Sequence, residues 1–99
     1  GRRRPIPIEG SEFVIDVDTV VVSVGVSPNP LIPASLPQLD VTDWGTIVVN
    51  KETMQSSMPE LFAGGDIVRG GATVILAMGD GRMAAAGMHK YIQEKIKAN

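Results

Sequence analysis

The stretch LFAGGDIVRGGATV, residues 61–74, decides how the rest of the chain is read. A short apolar run, Leu61 to Ala63, breaks at Gly64-Gly65, ends at Asp66 and reaches a second glycine pair at Gly70-Gly71. From Thr73 onward the apolar positions Val74, Met78, Gly81, Ala85, Met88, Ile92 and Ile96 recur at spacings of three or four, which predicts one helix over 73–96 with that face turned inward. Lys90, Lys95 and Lys97 near its end complement the negative end of the helix dipole. A strand, a glycine turn and a helix start in this order form a place where a ligand can approach the backbone without meeting a Cβ, and where helix amides attract electron-rich groups. Asp66 either accepts a hydrogen bond from a sugar hydroxyl or closes a turn that the glycines permit.

Upstream, the leader GRRRPIPIEG precedes two strand-like runs. Phe13, Ile15 and Val17 alternate with Val14, Asp16 and Asp18, the period of a half-buried strand. Thr19 to Val24 is β-branched apart from Ser23, which predicts a strand buried on both faces. Pro28, Pro30, Pro33 and Pro37 deny residues 26–45 both helix and ladder, so that segment is expected to be a long ordered loop. Strands are expected again across 46–66, in TIVVN and in Leu61 to Ala63. The predicted organisation is a mixed α/β unit with crossover strands over 1–25, the proline-rich loop over 26–45, strands over 46–66 and the helix over 73–96.

Composition narrows the chemistry. The 99 residues carry nine Lys and Arg against eleven Asp and Glu, a net charge of −2, which argues against a nucleic-acid binder that neutralises many phosphates. No run approaches the length of a membrane-spanning helix, and a soluble, cytoplasmic protein is expected. Without cysteine and with one histidine, His89, the chain offers neither thiolate chemistry nor a multi-histidine metal site, so no metal ligands are assigned and redox chemistry requires a bound organic cofactor. Arg2-Arg3-Arg4 reads as a solvated basic segment, His89 as partly exposed, and Met78, Met83 and Met88 as core filler. Gly79-Asp80-Gly81-Arg82-Met83-Ala84 matches a G-x-G-x-x-A dinucleotide fingerprint, but the alternative places these residues inside the helix, where small side chains admit a close neighbour. No catalytic residue is assigned.

Two motifs carry a family resemblance. Ser56, Pro59, Leu61, Phe62, Ala63, Gly65 and Asp66 match T-x-x-P-x-[VLI]-[FY]-A-x-G-D, with Ser56 in place of threonine, and DTVVVSVGVSPNP over 18–30 matches D-x-[VI]-[IV]-x-[AS]-x-G-x-x-P-N. Together they resemble the C-terminal FAD-binding segment of the two-dinucleotide-domain flavoproteins, the group of thioredoxin and glutathione reductases. GRRRPIPIEGSEF, SVGVSPNPLI and FAGGDIVRGGATVILAMGDGRMAA are most similar to the small (beta) subunit of NADPH-dependent glutamate synthase. The resemblance implies a partial, Rossmann-like FAD domain and an excised C-terminal piece, in keeping with a start at Gly1, inactive alone and prone to self-association. It implies that Asp66 meets the ribityl or pyrophosphate region of FAD, with Gly65 and Ile67 approaching through the backbone. Thr73 and Val74 would place amides near the N1/C2=O edge of the isoalloxazine, and the Gly79 fingerprint moves into the helix interior. The implied function passes electrons from NADPH through FAD to iron–sulfur centres for glutamate synthesis, with the glutamate synthase large subunit as partner. NADPH and iron–sulfur clusters would belong to the parent and not to this chain alone. The rivals are another member of the group with a different electron acceptor and a non-enzymatic binding or assembly module.

Overall fold

The computed structural model describes residues 3–98; Gly1, Arg2 and Asn99 lie outside the described residues, and with them the Arg2 part of the basic segment. Three helices occur in order: α1 (Leu31–Ser35), α2 (Asp66–Arg69) and α3 (Val74–Ala98). Between α1 and α2 the chain makes a small antiparallel meander, marked by the bridges Val41 with Ile47, Val49 with Ser56, and Gln55 with Phe62. Its first turn is closed by the Thr42 and Gly45 amides, which donate to the Thr46 and Thr42 carbonyls at 2.8 and 2.9 Å. Its second is organised by Asn50, whose carbonyl accepts from the Met54 amide at 2.7 Å while its side-chain oxygen accepts from the Glu52 amide at 2.8 Å.

The expected strands are corrected here. TIVVN and Leu61 to Ala63 appear as single bridges of the meander, and the runs at 13–17 and 19–24 join no ladder among the described residues. Val20, Val21, Val22 and Val24 are 75–83% exposed, where burial on both faces was expected. The β-branched pattern specifies a strand that wants neighbours on two sides, and none lies beside it among the described residues. A Cα radius of gyration of 19.6 Å, against about 13 Å for a close-packed chain of this length, has the same cause.

The proline-rich loop also holds a feature the sequence reading excluded. Helix α1 forms because Pro33 falls in its first turn, where the missing amide would have had no intrahelical partner. Asn29 accepts the Leu31 amide through its side chain at 3.0 Å, and Pro37, just past Leu36, prevents continuation. Likewise α2 fills what was read as a plain turn.

Helix α3 begins one residue after Thr73, whose hydroxyl oxygen accepts the Leu76 amide at 3.3 Å as an N-cap, and runs two residues beyond the predicted end. Gly79 and Gly81 sit in its interior. The face that docks is not the apolar one. Val74, Met78, Met88, Ile92 and Ile96 are exposed, and Met83 is largely so; Met54 in the meander is the buried methionine. The contact stripe is Ala77, Asp80, Ala84, Gly87 and Tyr91, displaced roughly a quarter turn at 3.6 residues per turn. The small residues there admit backbone: a Cβ on Gly87 would collide with the Thr53 carbonyl oxygen and lie 3.2 Å from the Phe62 ring. Phe62 in turn meets Tyr91 edge-on at 6.0 Å between centroids, and Lys95 donates to Glu60 at 2.8 Å near the end of the same stripe. Leu39, Ile47, Met54 and Ala84 form the small buried apolar core.

Gly87→Ala therefore separates helix propensity from packing. Alanine in a helix gains about 1 kcal/mol over glycine, whereas overpacking against a backbone carbonyl that cannot swing aside costs roughly 1–3 kcal/mol. Gly87→Ala is expected to lower the chemical unfolding midpoint, while Gly79→Ala, with nothing within 4 Å of the new Cβ, raises it. A raised midpoint for both would mean that α3 does not lie against Thr53.

Candidate functional site

The glycine turn and the start of α3 meet as the sequence order requires. Gly65 adopts φ +78° and ψ −148°, a conformation open to glycine and costly for other residues, and so reverses the chain between the end of the meander and α2. Gly70 repeats the positive φ at the far end of α2. The chain then crosses to Thr73 and enters α3.

This path gathers Gly65, Asp66, Thr73 and Val74 around one open hollow of about 480 Å³, completed by Gly64, Ala72, Ala77 and Met78. Ile67 lies on the other side of the turn. It joins Asp66, Gly70 and Gly71 with Val26 to Asn29 around a second hollow of about 260 Å³, and its carbonyl accepts the Ile47 amide at 2.8 Å. Asp66 alone among the predicted residues borders both hollows. Its side chain is exposed, and one carboxylate oxygen accepts the Ala72 amide at 3.3 Å. Asp66 thus closes the α2–α3 connection, as the turn reading requires, and keeps its second oxygen without a protein donor among the described residues. At the head of α3 the Leu76 amide is capped, and no acceptor among the described residues meets the Val74 and Ile75 amides. His89 is exposed on α3, and Arg3 and Arg4 are exposed in the leader, all apart from the site.

Two residues at the site escaped the sequence reading. Asp80 is 1% exposed and anchors the underside of the turn. Its Oδ2 accepts the Gly65 amide at 3.0 Å and Arg69 Nε at 2.6 Å, and its Oδ1 accepts Arg69 Nη2 at 2.7 Å. Gly64 makes the approach possible, because a Cβ there would stand 2.8 Å from that of Asp80. The two-point bond from the Arg69 guanidinium, reinforced by the Gly65 amide, lowers the Asp80 carboxyl from 3.8 to about 2. Asp80 had been the variable position of the G-x-G-x-x-A match. The available signal was its place at helical spacing with Ala77, Ala84 and Gly87, a carboxylate in a stripe of small residues; the pairing with Arg69 across a connection of irregular backbone has no local signature.

The description "Pyridine nucleotide-disulphide oxidoreductase" belongs to the family model that matches residues 4–81. The chain belongs to that family. It is 46% identical over 99 residues to the glutamate synthase (NADPH) small chain of Azospirillum brasilense, covering 99% of this chain and 20% of that protein. It is 41% identical over 98 residues to the putative oxidoreductase AegA of Escherichia coli K12, covering 96% and 15%, and 38% identical over 94 residues to the NADP(+)-dependent formate dehydrogenase subunit beta of Moorella thermoacetica, covering 95% and 13%. The chain thus spans a fifth or less of the length of these relatives. Membership places it in the Rossmann-like α/β class, although its own strands are reduced to bridges. Among the described residues no helix is long and apolar enough to cross a membrane.

The lowered Asp80 carboxyl fixes the sign of an acid effect. Because the folded value lies below the unfolded value near 4, the unfolded chain binds more protons between them. The stabilisation is fully present above about pH 4 and is lost as pH falls through about 2. Asp80→Asn removes this titration, so denaturant midpoints measured across that window should fall more steeply for the native sequence than for the variant. Parallel curves would mean that the Arg69–Asp80 bond is not made in solution.

Proposed function

We propose that these 99 residues are the C-terminal part of the FAD domain of an NADPH-dependent oxidoreductase, that Gly65, Asp66, Thr73 and Val74 contact the flavin nucleotide from one hollow, and that Ile67 contacts it from the neighbouring hollow that Asp66 also borders. The observation that carries the reading is the single hollow bordered by the Asp66 carboxylate on one wall and the head of α3 on the other. The donor set fits the cofactor. A carboxylate with one oxygen unengaged among the described residues suits a ribityl or ribose hydroxyl, and two helix amides that meet no acceptor there suit an electron-rich ring edge. Gly65 keeps side-chain bulk away from the approach. When bound, FAD supplies the capacity to take a hydride from NADPH and release electrons singly. The chain itself binds, orients and biases charge: Asp66 fixes the nucleotide by a charge-assisted bond, and the dipole of the 25-residue α3 favours negative charge at its head.

The proposed destination of the electrons is a set of iron–sulfur centres serving glutamate synthesis with the glutamate synthase large subunit as partner, supported by the small-chain relatives from Azospirillum brasilense and Escherichia coli. Relatives named for formate dehydrogenase and for NADPH-Fe(3+) oxidoreductase favour a second reading, in which the same flavin segment serves a different acceptor.

Two substitutions in the protein that carries this chain test the site. Asp66→Ala removes a charge-assisted hydrogen bond of about 1.5–3 kcal/mol and should weaken FAD retention roughly ten- to a hundredfold. Unchanged flavin content after dialysis would return Asp66 to turn closure alone. Thr73→Asp preserves the N-cap, since Asp caps at least as well as Thr, while adding negative charge at the head of α3. With about 1.4 kcal/mol corresponding to 30 mV for a two-electron couple, the flavin midpoint potential should fall by roughly 10–40 mV. An unchanged or raised potential in a variant that keeps its flavin withdraws Thr73 and Val74 from the site.

A further inference from the structure

We propose that Asp80 is a positioning residue for Asp66, gripping both ends of α2 so that the Asp66 carboxylate is held toward the hollow. The inference rests on the flavin reading of that hollow and assigns the residue that sets its geometry. Helix α2 has four residues, a single turn without a side-chain cap, and a single turn does not hold itself in water. Glycines at positive φ flank it on both sides, so its backbone connections leave its direction loose. Three tethers remove that freedom. The Ile67 carbonyl accepts from Ile47, and the other two both run to Asp80: the Gly65 amide at the entrance of α2 and the Arg69 guanidinium at its last residue.

The anchor is itself fixed. Asp80 belongs to the interior of α3, is buried, and stands against Gly64 at a distance only a glycine allows. Asp66 lies between the two gripped points, and the one bond its carboxylate makes among the described residues, from the Ala72 amide, is long at 3.3 Å. Its aim therefore follows the orientation of α2 as a body. Pairing Asp80 with Arg69 also neutralises the buried charge, leaving Asp66 as the carboxylate that faces the hollow.

A double-mutant cycle on FAD affinity, read by flavin fluorescence on the apoprotein that carries this chain, tests the coupling. Asp66→Ala and Asp80→Asn should each raise the Kd, the latter roughly tenfold. The double variant should bind within about twofold of Asp66→Ala alone, because a positioning residue has nothing left to position. An unchanged Kd for Asp80→Asn, or losses that multiply in the double variant, overturns the proposal, the second outcome being that of a purely structural residue. An unchanged Kd for Asp66→Ala overturns the flavin reading and this inference with it, and is told apart by that single variant. Should Asp80→Asn not fold, Arg69→Lys decides in its place: it keeps the charge and the Gly65 bond but not the two-point fork. Its affinity loss should vanish in the Asp66→Ala background, and wild-type affinity overturns the proposal.

Discussion

The carboxylate of Asp80 is the point on which the ordered part of the molecule turns. One buried side chain joins three pieces that sequence separates: the glycine turn at Gly65, the single-turn α2 through Arg69, and the long α3 that carries Asp80 itself. A buried carboxylate left unpaired is strongly unfavourable, so the fork from Arg69 and the amide of Gly65 are required together, and satisfying them leaves one arrangement of turn and helix. Two backbones come close enough for this only where no Cβ intervenes, at Gly64 beside Asp80 and at Gly87 beside Thr53. Polar pairing sets the register and the glycines set the distance.

This division of labour explains what was legible beforehand. The α3 helix and the glycine turn follow from local rules, namely helical spacing and the conformational range of glycine, and α3 lies within two residues of its expected bounds, whereas the grouping of Gly65, Asp66, Thr73 and Val74 came from the family resemblance. The Rossmann-like class was legible from motifs. The docked face of α3 was not, because hydrophobic periodicity reports which side chains seek burial and not which ones this chain covers. Ala77 faces the Gly65 turn, Ala84 is buried and Gly87 meets Thr53 of the meander, while Ile92 and Ile96 are exposed. Arg69 and Asp80 were missed for a related reason: a salt bridge across two irregular connections has no periodic signature.

The same reasoning accounts for Thr19 to Val24. A run of β-branched residues is a statement about neighbours as much as about backbone, since a strand takes its hydrogen bonds from adjacent strands. Its residues have the right shape for a sheet interior and remain exposed here because no strand lies beside them among the described residues. α1 shows the converse: five residues with Pro33 among them form a helix because every bond they need lies within the segment or within two residues of it.

Two kinds of order therefore coexist in the chain, and the candidate site belongs to the one that needs no outside partner. The side-chain bonds that shape the hollow, from the Asp80 fork to the Thr73 cap and the Ala72 amide, are made between residues 64 and 80. The tether from Ile47 to Ile67 ties that unit to the buried core around Leu39 and Met54. By contrast, the exposed Val20 to Val24 and the far end of the apolar face of α3, at Ile92 and Ile96, border neither hollow. Covering them would add stability through buried area without redirecting the turn, whereas loss of the Asp80 fork would leave buried area almost unchanged and free the turn to move. Asp80 thus acts on affinity at the hollow and on stability together, whereas covering Val20 to Val24 or Ile92 and Ile96 would act on stability alone.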